Sequence, residues 1–223
     1  MKEGKFLEAA VLGEVTKQYE YDFPQESKEK YEDAPIESLV CLVKRYQPPE
    51  NQDPGRPGRP FPKELVDYAG YLLGLPEESK QLRFYTTVNS HLDRGKKGER
   101  KGFDAFLEYD LGNGECARCR LDITSDERKI TREEGVSDWG NKIVFYWPPE
   151  GIDQKIKEGR RDWKKKVEQV AETAQKRLES EILRVGGVQR TLSEFELAES
   201  KTIAEKRQDG VVRRLKEEGE AAS

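Results

Sequence analysis

Two alternating segments flanking Gly112-Asn113-Gly114 constrain this chain more than any other feature. Side chains alternate across a strand, so Phe103, Ala105, Leu107 and Tyr109 share one face while Asp104, Phe106 and Glu108 share the other. In the second segment Ala117, Cys119, Leu121 and Ile123 form the apolar row, with Arg118, Arg120, Asp122 and Thr124 opposite. Gly-Asn-Gly is a strong tight-turn signal, so the two segments are expected to pair as a hairpin. That pairing would bring Asp104 and Asp122 to one face, near enough to share a divalent cation.

Other stretches extend the sheet. Leu82–Val88 is rich in β-branched and aromatic residues, and Lys142–Trp147 reads as a buried strand stopped by Pro148 and Pro149. Before the sheet, Leu7, Val11, Val15 and Tyr19 recur every four residues, which predicts a helix over 6–22 closed by Pro24. Residues 36–43 suit either a short strand or a helical turn. The stretch 47–62 is rich in Pro, Gly and Arg and is expected to be a loop. Helical spacing returns over 63–75, and a polar interval spans 125–141. From Ile152 onward Ile156, Trp163, Val167, Val170, Ala174, Leu178, Ile182 and Val185 come close to a heptad seam. Gly186 and Gly187 interrupt it, and Thr191-Leu192-Ser193-Glu194 offers a capping box for a last helix.

These elements predict an α/β domain over about 1–150, with a mixed central sheet flanked by helices. A charged helical extension over 151–223 follows, as a helical hairpin or coiled coil that either docks on the domain or pairs with another helix. With 38% charged residues against 34% hydrophobic, part of the chain is expected to be solvated helix or unstructured. No apolar run approaches a bilayer span and the N-terminus has no apolar signal core, so no membrane partner and a cytoplasmic location are expected. Three cysteines give no even disulfide framework, consistent with a reducing compartment.

The net charge of −4 conceals strong local contrasts. Arg94–Lys101 holds five basic residues and one Glu, and Lys155–Lys166 holds seven basic and two acidic. Such patches either steer a polyanion or belong to ordinary solvated surface. Arg94, Lys96, Lys97, Arg100 and Lys101 are the candidate nucleic-acid contacts. Cys116 and Cys119 form a CxxC, and with Cys41 and His91 they would complete a zinc set. An odd spacing in a strand points the two thiols to opposite faces, however, so buried thiols are the expectation. No nucleophile elbow, dinucleotide fingerprint or phosphate-binding GxxxxGK[ST] is present.

The order helix, strand, acidic strand, hairpin, second acidic strand, strand over about 82–147, with 6–22 as first helix, resembles the core of the PD-(D/E)xK nuclease superfamily, the restriction-endonuclease-like enzymes. The resemblance implies Asp104 as the lone aspartate and Asp122 as the first acid of the spaced pair. Glu14 or Glu8 would then stand where a first-helix glutamate assists the metal. It also implies Mg²⁺ as cofactor, nucleic acid as partner and phosphodiester hydrolysis as activity. The lysine of the motif is replaced by Thr124, which carries no charge. Lys129 or Lys142 would have to supply the amine from a migrated position. The alternative is a non-catalytic assembly protein that self-associates through residues 151–185, with Asp104 and Asp122 on a solvated sheet face beside Arg118 and Arg120.

Overall fold

The computed structural model describes residues 3–23, 34–94, 102–112, 114–130, 136–138 and 142–185. Five strands form one mixed sheet in the order β1-β2-β3-β5-β4. They are β1 (Leu82–Thr86), β2 (Ala105–Asp110), β3 (Cys116–Thr124), β4 (Val136–Asp138) and β5 (Ile143–Tyr146). The first three make an antiparallel meander, β5 runs parallel to β3, and β4 folds back antiparallel on β5. The fold is therefore α/β with a mixed sheet, as the alternation patterns predict.

The expected hairpin forms between β2 and β3, in the register Leu107↔Cys119 and Glu108↔Arg118. Gly112 and Gly114 both adopt positive φ, which their missing Cβ permits at little cost, and Leu111 N–H closes the turn on the Glu115 carbonyl at 3.1 Å. The polar interval holds one strand the sequence pattern does not reveal. β4 is three residues long and only Val136 is apolar, too little to register as periodicity.

Six helices complete the described residues: α1 (Glu3–Leu12), α2 (Lys17–Asp22), α3 (Ile36–Val43), α4 (Pro60–Leu72), the single turn α5 (His91–Arg94) and α6 (Lys157–Val185). The helix expected over 6–22 is broken. Gly13 takes φ of +82°, and the backbone N–H groups of Val15 and Thr16 leave the helix to bond Val88 and Tyr46 carbonyls. Residues 36–43 are helical, with Leu39, Val40 and Val43 buried along one stripe. The Pro-rich stretch is more ordered than a loop expectation suggests. Pro60 and Pro62 open α4, where a missing N–H is harmless, and the Pro54 carbonyl accepts from Phe84 N–H on the edge of β1. At Gly58 the chain passes so close to the Glu50 carbonyl that a Cβ would lie 2.8 Å from that oxygen.

Each face of the sheet buries its own apolar cluster. Phe84, Leu107, Cys119, Leu121 and Phe145 pack against Phe61 and Leu65 of α4 and Val167, Val170, Ala174 and Leu178 of α6. On the opposite face Tyr85 and Phe106 meet Tyr19, Leu39, Val40 and Val43. The C-terminal seam is thus spent on docking α6 to the sheet. Trp163 anchors its start, edge-on to Phe61 and Trp147, with its indole N–H donated to Glu64 at 2.7 Å. Met1–Val185 make up one compact unit. The capping box and last helix expected beyond Gly187 lie outside the described residues.

Candidate functional site

The hairpin register, continued one step past Ala105↔Leu121, sets Asp104 opposite Asp122 at the end of β2 and β3. Asp104 is buried, at 4% exposure. Its carboxylate accepts the Ile123 N–H at 2.7 Å, a hydrogen of the peptide that joins Asp122 to Ile123. Its backbone is fixed as well, donating to the Leu121 carbonyl and accepting from Thr87 N–H. The Asp104 side chain therefore sits against the backbone of Asp122 in a defined orientation.

Asp122 is half-buried and pairs with Lys142, whose Nζ lies 2.7 Å from its Oδ2. Lys142 opens the run into β5 and is 95% removed from solvent, at 5% exposure. A second hydrogen bond, 2.9 Å to the Gly102 carbonyl, pins the ammonium between the strand that carries Asp122 and the segment leading into Asp104. The parallel pairing of β3 and β5 makes this possible, since it places Asp122 beside Val144, two residues from Lys142. Thr124 is buried, and its hydroxyl accepts the Asp126 N–H at 3.1 Å.

The remaining expected site residues are more scattered. Lys129 is exposed at the end of a 3-10 turn, Glu127–Lys129. Glu14 is exposed and accepts from Asn89 Nδ2 at 2.5 Å. The backbone there approaches the acidic pair, because Val15 bonds Val88 while Thr87 bonds Asp104. Glu8 is half-buried on α1. Among the described residues no three His, Cys, Asp or Glu side chains assemble to hold a metal, so Glu14 does not join Asp104 and Asp122 as a third ligand. Arg94 belongs to α5, whereas Lys96, Lys97, Arg100 and Lys101 lie outside the described residues.

The cysteine–histidine set is not assembled. Cys116 and Cys119 point to opposite faces, Cys41 is exposed on α3, and burial pushes the Cys119 thiol well above its ordinary range. His91 instead shares a 2.7 Å hydrogen bond between its Nδ1 and the Tyr19 hydroxyl.

A charged cluster that the sequence reading passes over occupies the same sheet face. Glu108 is completely buried, with Lys44 Nζ 2.6 Å from one oxygen and Arg118 Nε 2.7 Å from the other. Arg118 also binds Glu37, tying α3 to β3. A buried carboxylate of this kind needs such partners, because its desolvation is otherwise costly. The signal was present in the turn: centring the hairpin on Asn113 pairs Glu108 with Arg118 directly.

Carboxylates such as those of Asp104 and Asp122 are hard oxygen donors of the type Mg²⁺ takes, and Mg²⁺ commonly uses one or two carboxylates while keeping waters and phosphate oxygens. Among the described residues no helix is long and apolar enough to cross a membrane. Comparison with family models, with curated proteins and with solved structures returns no match.

Proposed function

We propose that this chain is a nucleic-acid-binding, Mg²⁺-dependent nuclease that hydrolyses phosphodiesters at the Asp104–Asp122 end of β2 and β3. The observation that carries the reading is Lys142, whose ammonium stands 2.7 Å from Asp122 and supplies the cation that Thr124 does not. Asp104 and Asp122 would hold Mg²⁺, which when bound polarises the phosphoryl oxygens and acidifies water. The protein's own groups then have distinct tasks. The Ile123 N–H fixes the Asp104 carboxylate. The Gly102 carbonyl holds Lys142 in place, and its buried ammonium offsets negative charge that develops on the phosphorus oxygens. Low local dielectric strengthens that last interaction.

The test uses the full chain with single- and double-stranded DNA and RNA, in Mg²⁺, Mn²⁺ or EDTA. Metal-dependent cleavage is expected, lowered about a hundredfold or more in Asp122→Asn and in Lys142→Met, on the scale of losing one preorganised electrostatic group. The unfolding midpoint of each variant, together with Lys142→Arg, separates a lost charge from a lost fold. A wild type inert on all four substrates with either cation removes the proposal.

A further inference from the structure

Where α6 begins, the stretch that follows β5 folds back across its first turn. Gly159 marks the crossing: a Cβ there would lie 1.9 Å from the Asp153 carbonyl oxygen, so glycine alone permits the approach. Between this stretch, the end of β5 and the 3-10 turn Glu127–Lys129 lies a cavity of about 890 Å³, room enough for a small organic molecule. Asp104, Asp122 and Lys142 are no part of its lining, so it stands apart from the acidic pair.

Lys166 is half-buried in that lining, whereas Lys164 and Lys165 beside it on α6 are exposed. Lys164 pairs with Glu168 at 3.7 Å, but among the described residues the Lys166 side chain makes no ion pair and no hydrogen bond. Five carboxylates share the lining: Glu127 of the 3-10 turn, Glu150 and Asp153 of the crossing stretch, and Glu158 and Asp162 of α6. Asp162 even stands four residues before Lys166, a spacing that favours a pair. All five are exposed residues, and solvent screens them. Burial, with the Lys165 ammonium next along the chain, pulls the Lys166 amine below the ordinary lysine range. A lysine so placed offers more of its neutral, nucleophilic form near pH 7.

The walls select the partner. Ile130, Pro148, Ile152 and Ile156 supply apolar surface. Tyr146 of β5 is kept protonated by burial and by Glu127, and adds no charge. Five carboxylates against two lysines leave three negative charges by that count, which repels an anion. Among the described residues no three acids assemble to hold a metal cation. The chemistry left for this amine is that of an uncharged electrophile.

We propose that Lys166 is a nucleophilic amine that captures an uncharged, apolar aldehyde in this cavity as a Schiff base. The neutral Nζ attacks the carbonyl carbon, and one amine proton passes to the carbonyl oxygen. The carbinolamine then loses that oxygen as water, together with the second amine proton, and leaves a C=N bond. No electron is transferred and no further reactant is consumed.

The probe is benzaldehyde, added to the full chain at pH 7 with cyanoborohydride, which reduces the C=N bond to a stable amine. Modified residues are located by proteolysis and mass spectrometry. Labelling of Lys166 is expected to run several-fold faster than that of Lys164 and Lys165, to saturate with benzaldehyde concentration, and to lose its lead in denaturing guanidinium. The lead should also shrink as pH rises towards about 10, where every lysine supplies neutral amine. The anionic 4-carboxybenzaldehyde is expected to label Lys166 more slowly than benzaldehyde does. Lys166→Arg keeps the charge and should abolish the saturable phase while Lys164 and Lys165 react as before. Labelling of Lys166 that is no faster than at its neighbours, that rises without saturation, or that favours the anionic aldehyde would each overturn the proposal.

Discussion

Tyr85 shows how one buried charge spreads its influence at the scale of a residue. Its ring packs on Phe106 beneath α3, with Lys44 Nζ 5.2 Å from its centroid. Burial, reinforced by the Glu108 carboxylate nearby, pushes the phenol up to about 12. An unfolded tyrosine titrates near 10. The folded state therefore retains a proton that the unfolded chain surrenders first. This contribution is complete below about pH 10 and is lost as pH rises towards 12, through the folded value. Its size is at most about 2–3 kcal/mol. Tyr85→Phe is expected to flatten that segment of the curve. The check is urea unfolding of both chains from pH 8 to 12, where the gap in stability between them should narrow with rising pH. A constant gap would show that the phenol stays protonated in neither state preferentially.

At the scale of elements, the helix α6 explains why the α/β class was legible while its boundaries were not. The seam Val167, Val170, Ala174, Leu178 was plain in the sequence, but a heptad-like spacing fits a partner helix and a sheet face equally well. What decides is the β2–β3 apolar face, which α4 alone does not cover, and sequence periodicity does not report how much area remains to be filled. The break at Gly13 was hidden for a related reason. Residues 13–16 leave helical geometry, Val15 bonding Val88 and Thr16 bonding Tyr46, partners at least 30 positions away in sequence. Leu178 measures the docking directly, being fully buried against the sheet while Leu183, five residues on, is 40% exposed. Leu178→Ala is expected to cost about 3 kcal/mol, lowering the midpoint by about 6–12 °C. Leu183→Ala should stay within about 0.5 kcal/mol. Equal effects at the two positions in thermal denaturation would mean that α6 is not held on the sheet by this stripe.

For the whole molecule, the candidate site follows the same division between local and distant information. Asp104 and Asp122 could be placed on one face because a tight turn and a period of two fix the register of a hairpin. Lys142 could be named only as one of two lysines, since its approach to Asp122 depends on a parallel pairing between β3 and β5 that no turn specifies. The sheet and α6 are one cooperative structure. Ending the chain at residue 150 would strip Val167, Val170, Ala171, Ala174 and Leu178 from a cluster they share with Phe61, Phe84, Leu107, Cys119 and Leu121. Exposing a sheet face of that size also exposes it to association with other chains. A chain of residues 1–185 is expected to unfold in one transition, with the near-ultraviolet dichroism of the full protein. A chain of residues 1–150 should lose that signal or aggregate. Should the shorter chain instead melt cooperatively near the midpoint of the longer one, the sheet would be stable without its long helix and α6 would be an accessory to the fold.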